Sequence, residues 1–135
     1  MSTTRIRAAG GVLLDGRRRL LVIERAREPW AGTWSIPGGK CDHDETSDAT
    51  CRREVAEETG LAVTILRRLG TVEDRIDDGS VVYEIDDYLC DVVGGSLRAA
   101  DDAAQARWVT RAELEQLPLV PGLLTALTRW GVLPD

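Results

Sequence analysis

The stretch Gly39 to Leu61, GKCDHDETSDATCRREVAEETGL, decides how the rest of this 135-residue chain is read. Its second half predicts a helix. Thr46 suits the N-cap, Ser47 and Asp48 the first turn, and Gly60 the stop. At 3.6 residues per turn, Glu54, Glu57 and Glu58 stand at i, i+3 and i+4 and share one face. Ala49 and Ala56 are expected on the opposite side, small enough for close packing, with Val55 on a flank. Like charges at i,i+4 destabilise a helix by roughly 0.2–0.5 kcal/mol per pair. Such a cluster calls for a partner, and a hard divalent cation that prefers carboxylate oxygens fits. Taken alone, EVAEE favours a plainer reading, a solvated acidic face with Arg52 and Arg53 as weak partners.

The whole stretch says more. Gly39 is followed after five residues by Glu45, and after seven more by Arg53-Glu54-Val55-Ala56-Glu57-Glu58-Thr59-Gly60-Leu61. Seven near-fixed identities arise by chance on the order of once in a billion starting positions at ordinary residue usage. The plainer reading therefore gives way. The stretch resembles the signature of the Nudix hydrolases without a gap.

The resemblance implies a fold, a reaction and roles for residues. The fold would be the Nudix α/β/α sandwich, a mixed β-sheet between helices. The reaction would be metal-dependent hydrolysis of a pyrophosphate bond, with Mg²⁺ or Mn²⁺ as cofactor. Glu57 and Glu58 would bind metal, Glu54 would be a further ligand or the base, and the Gly38 carbonyl would coordinate too. Arg53, one turn before Glu57, would fix that carboxylate's rotamer. Glu45 would reach the same network from the loop. Arg25 stands where relatives place a phosphate-contacting Arg, and a rim salt bridge competes with that role. Asp101 and Asp102 precede Trp108 where relatives carry an extra acidic ligand or base, with Asp102 the candidate carried forward and a simple turn the alternative. Lys40, the only lysine, directly follows Gly38-Gly39 and is a candidate substrate contact. Trp34 and Trp30 flank the approach to this loop, as nucleobase platforms or as core and lid packing. Asp44 replaces a glycine common among relatives; it either tolerates a left-handed backbone or adds a carboxylate near the metals. His43, the only histidine, reads as an exposed loop residue.

Working outward, the chain is long enough for one domain, residues 1–135, with an ordinary soluble mixture of 43% apolar and 30% charged residues. No signal peptide or membrane-length run is present, so a membrane location is not expected. Three cysteines, widely spaced and odd in number, argue for a reducing cytoplasm and against a zinc site or disulfide framework. The net charge of −6 argues against nucleic-acid polymers as ligands. A small nucleotide remains compatible, because metal ions neutralise its phosphates locally. A homodimer is compatible with everything read here.

Arg5 to Leu14 predicts a strand, stopped at Asp15-Gly16, and Leu20 to Ile23 a second strand that would pair with it as a hairpin. Trp34-Ser35-Ile36 is a short extended piece before Pro37-Gly38-Gly39, where no regular element is expected. After the acidic helix, Ala62 to Val72 and Ser80 to Val93 predict strands about an Asp77-Asp78-Gly79 turn. Ala106 to Val109 is a short strand. Thr110 with Glu113 forms a capping box for a helix to about Leu117, and Leu123 to Trp130 a terminal helix. Strands on both sides of one central helix, with a late helix for the other face, give an α/β layered domain.

The substrate is less legible. Members that cleave ADP-ribose often carry a Pro where this chain has Arg75, and dinucleoside polyphosphate cleavers a Tyr near Ile76 to Asp78. The 8-oxo-dGTP readers use an Asn, and this chain has none. The reading that remains is a nucleoside diphosphate linked to another moiety, either a nucleoside triphosphate or an ADP-ribose-like compound, releasing a nucleoside monophosphate. The alternatives are a catalytically silent Nudix-fold module that binds a nucleotide, and a prenyl diphosphate isomerase of the same fold. The first would have lost carboxylates that this chain keeps. The second would need a longer chain and a catalytic Cys in its own context.

Overall fold

The small and β-branched residues from Thr4 to Leu13 form strand β1. This is seen in a computed structural model, which describes residues 2–135. The expected hairpin with β2, Leu20–Arg25, does not form; one bridge between Leu14 and Leu20 joins them. The reason is edge occupancy. Both edges of β1 are taken, one by antiparallel β4, Gly38–Lys40, the other by parallel β6, Val81–Gly95. β2 turns away and pairs with β3, Trp34–Ser35, and β7, Ala103–Val109. With β5, Leu61–Ile76, the chain makes a mixed sheet of order β4-β1-β6-β5 and a second sheet of order β3-β2-β7.

β4 also departs from expectation, because Gly38 and Gly39 do continue a regular element. Their hydrogen atoms permit it. A Cβ on Gly38 would lie 2.4 Å from the Ala9 carbonyl oxygen, and one on Gly39 would lie 2.4 Å from the Glu54 carboxyl carbon. Close approach, and not chain freedom, is what these two glycines supply.

Helix α1, Ser47–Thr59, ends at Gly60 in the left-handed region at φ 76°, as the stop signal predicts. Thr46 holds the N-cap position, although its side chain makes no cap bond. The helix faces inward differently from the sequence reading. Ala56 is exposed, and Cys51, Val55, Glu58 and Thr59 are buried. Val55 and Cys51 pack against Leu13, Tyr88 and Cys90 in a first core, between α1 and the strands. The Sγ atoms of Cys51 and Cys90 are 3.6 Å apart and unlinked.

A second core lies on the other side, where Val12, Leu20 and Val22 meet Leu114 and Leu127. Leu114 belongs to α2, Arg111–Gln116, which carries the complete Thr110–Glu113 capping box. Leu127 belongs to α3, Leu123–Trp130, closed by Gly131. Helices on both faces of the strands make the α/β/α arrangement. No described helix is long and apolar enough to cross a membrane.

Candidate active site

α1 places its carboxylates according to helix geometry. Glu54 and Glu57, one turn apart, bring oxygens together with Asp101 from the loop before β7, all three within 4.8 Å of one another. Glu58 follows Glu57 by one residue and so lies about 100° further round. It points inward, 3% exposed, and accepts a 2.7 Å hydrogen bond from the Gly38 N–H. Burial pushes its carboxyl up to about 8, against the opposing effect of that hydrogen bond. The expected Glu57–Glu58 pair is thus split between the cluster and the strand.

Arg53 ties the cluster together. Nε and Nη2 donate to the two oxygens of Glu45, each at 2.9 Å, a bidentate pair. Nη1 donates to Glu54 at 2.9 Å and to Glu57 at 3.2 Å, and Nη2 also reaches the Lys40 carbonyl at 3.0 Å. Glu45 accepts further bonds from Thr50 at 2.6 Å and from the Asp42 N–H at 3.0 Å. Arg53, then Thr50 and the Asp42 amide, hold its carboxyl far below the usual carboxylate range. Burial moves Glu54 the other way, raising it despite Arg53. Arg53 thus contacts Glu57, the carboxylate it was expected to orient.

The position of Asp101 follows from the end of α1. Arg98 N–H bonds Thr59 O at 2.9 Å and Ala100 N–H bonds Glu58 O at 3.1 Å, so this loop runs along the last helical carbonyls. Asp101 then sits in the left-handed region at φ 55°. Asp102, the candidate carried forward from the sequence, turns instead to Arg27, Nε to Oδ1 at 2.9 Å. The acidic loop was legible, but which of its two carboxylates faces the helix was not. A backbone that reverses at Asp101 decides that.

Beside the cluster opens a cleft of about 500 Å³ whose lining includes Gly38, Glu54, Glu58, Arg25, Lys40 and Asp102. Arg25 is anchored by a 2.8 Å bond from Nε to the Pro29 carbonyl. Lys40 Nζ lies 5.9 Å from the Tyr83 ring centroid. Trp34 is not in the cleft wall; it is 5% exposed in the second core, with Arg107 5.6 Å over its ring. Trp30, 42% exposed, borders the cleft instead. Asp44 has the left-handed backbone, φ 66°, and with His43 it lies in solvent. Asp74 and Asp87 are among the acids of the lining that were not singled out from the sequence.

A family model for the NUDIX domain matches residues 4–130. The chain belongs to the Nudix hydrolase family. Among its Nudix relatives is an ADP-ribose pyrophosphatase of Methanocaldococcus jannaschii, 33% identical over 108 residues, which are 78% of this chain and 61% of that protein. The match therefore spans about three fifths of that relative's length. A protein of Mycobacterium tuberculosis (strain ATCC 25618 / H37Rv) provisionally named 8-oxo-dGTP diphosphatase 2 is 41% identical over 106 residues, 76% of this chain and 72% of that one. Among solved structures, a MutT Nudix hydrolase from Burkholderia pseudomallei superposes with a TM-score of 0.83 at 28% identity, covering 93% of this chain and 97% of that one. Nudix relatives named as hydrolases thus share both its sequence and its fold.

Proposed function

We propose that the chain hydrolyses the pyrophosphate bond of a nucleoside diphosphate linked to another moiety, releasing a nucleoside monophosphate. One observation carries this reading: oxygens of Glu54, Glu57 and Asp101 converge within 4.8 Å beside a cleft lined by Arg25 and Lys40. Three carboxylate oxygens are the donor set that Mg²⁺ or Mn²⁺ prefers, so the residues fit the cofactor expected of the family. Such a cation supplies charge neutralisation at the phosphates and eases deprotonation of the attacking water.

The chain's own groups do the rest. Arg53 holds Glu54 and Glu57 in place through its guanidinium. Glu54, raised by burial, is the carboxylate suited to take the water's proton. Arg25 and Lys40 seat the phosphates, and Glu58 fixes β4 through the Gly38 amide. That bond uses the Gly38 N–H and one Glu58 oxygen, so the Gly38 carbonyl and the second Glu58 oxygen keep their assignment as metal contacts in this reading. The relatives named above support both an ADP-ribose-like compound and a nucleoside triphosphate as substrate. A cytoplasmic setting and small nucleotides as partners belong to the same reading.

A panel of dNTPs, ADP-ribose, NADH, dinucleoside polyphosphates and nucleotide sugars, run with Mg²⁺ and with Mn²⁺, tests it. The active substrate is then hydrolysed in ¹⁸O-water. Products expected are a nucleoside monophosphate with pyrophosphate or a phosphorylated remainder. Label found only in orthophosphate, with the nucleoside diphosphate intact, overturns the reading.

A further inference from the structure

Asp87 stands in the middle of β6, paired in register with Gly10 on β1 and Gly70 on β5. It is 6% exposed and lines the cleft. Its Oδ1 has no hydrogen-bond partner among the described residues. Its neighbour Asp86, on the opposite face of the strand, accepts bonds at Oδ1 from Arg68 at 2.9 Å and Thr71 at 2.7 Å. A buried carboxyl left without a donor is costly, and such groups are rare.

The sheet makes room for this one. A Cβ on Gly10 would lie 2.6 Å from Asp87 Oδ1, so the glycine opposite leaves the space that the carboxyl fills. Asp74, also lining the cleft, raises the local density of acid. Burial first, then Asp74 and Asp86, push Asp87 up to about 7. Space is provided and a donor is not, which is the pattern of a group completed by a ligand.

The surroundings say which donor. Ile85, Val72, Ile76 and Ala126 line the same cleft, an apolar wall suited to a flat ring. Gly10 is the register partner of both Gly38 and Asp87. Two strand spacings thus separate Asp87 from the acidic helix's strand contact, about 10 Å. Phosphate oxygens only accept, and like charge repels them from a pair of acids. What a nucleotide offers to such an apolar wall is the edge of its base, where the exocyclic amino group is a donor.

We propose that Asp87, with Asp74 beside it in the cleft, determines specificity by accepting a hydrogen bond from the exocyclic amino group of the substrate's nucleobase. This rests on the reading of the cleft as a nucleotide site. Guanine, adenine and cytosine carry that group, whereas hypoxanthine, uracil and thymine do not.

Nucleoside monophosphates, which hold no pyrophosphate bond to cleave, test the proposal by equilibrium binding to the whole chain with Mg²⁺. GMP is compared with IMP, and CMP with UMP. At least one amino-bearing partner should bind about tenfold or more tightly than its mate, as expected where a site's buried polar group would otherwise be unpaired. Asp87→Leu should erase that difference. The ¹³C carboxyl resonance of Asp87 in the unmodified protein gives a readout that needs no variant: it should move with the preferred amino-bearing nucleotide and not with its mate. No preference in the unmodified protein, a preference intact in Asp87→Leu, or a shift common to all four nucleotides overturns the proposal. The last would assign Asp87 to the ribose. Hydrolysis of the substrate panel without any amino preference sinks this inference alone. An amino preference in binding with no hydrolysis of any panel member sinks the proposed reaction alone.

Discussion

The acidic cluster beside the cleft and the acids within its strand wall are built in opposite ways. At the α1 end, Glu45, Glu54 and Glu57 share a single arginine that donates to all three. At the strand end, no cation is paired with Asp74 or Asp87 among the described residues, and burial raises both, against the opposing charge of Arg25 at Asp74. The first end is held in place by that guanidinium. The second gives its charge up unless a partner arrives. A carboxylate's chemistry here is set by the balance between burial and the guanidinium within reach: Arg53 lowers Glu45, while burial raises Glu54 beside the same arginine.

The comparison breaks most readily at the first end. Glu57→Gln removes a charge from the convergent cluster, and kcat should fall by about 10²–10⁴-fold, the scale of losing a catalytic group. Chelation by EDTA should abolish turnover. Full activity in either condition would mean that the cluster is an ordinary surface feature.

Arg53→Lys asks whether charge or geometry holds that end. A lysine keeps the charge but cannot span both Glu45 oxygens. We expect kcat to fall about 10–100-fold, as for outer partners of metal ligands. An undiminished kcat would show that the bidentate pair is dispensable.

The next test separates neighbours. Asp101→Asn should raise the Mg²⁺ concentration for half-maximal activity by about tenfold. Asp102→Asn, which loses an exposed pair with Arg27, should stay within about twofold of the unmodified protein. The reverse ranking would return the role to Asp102.

The smallest effect is on stability at the second end. Asp87 moves from 3.8 to about 7 on folding, so its neutral form is the one the fold accepts. Its contribution is complete below pH 3.8 and is lost as pH rises through about 7. Asp87→Asn carries no charge at any pH, so its Tm should exceed that of the unmodified protein by about 3–8 °C at pH 8 and by less at pH 4. Thermal unfolding at both pH values checks the sign.

What the sequence disclosed follows the same division. The helix, its Gly60 stop, the Arg53 contacts and the Thr110–Glu113 capping box are set within a few residues, so spacing alone reveals them. The pairing of β1 with β6, the loss of the hairpin and the burial of Trp34 depend on which edges are already taken far along the chain. Glu58 was read as part of a face because three acids fall on one arc; the sheet beneath, which claims Glu58, has no local signature. Asp87 did leave a signal. Two consecutive acids inside the strand YEIDDYL cannot both point outward, since successive residues alternate faces.

The bonds from Arg98 to Thr59 O and from Ala100 to Glu58 O carry one more implication. They make the 23-residue signature a non-portable part. Grafted onto a foreign scaffold, residues 39–61 would bring their helix, their arginine and two of the three convergent carboxylates. The third arrives on a loop that recognises the helix by its unpaired end carbonyls, after β5 and β6 have run out and back. A protein engineer moving this site would have to move that return path with it, because the motif is written in one place and completed in another.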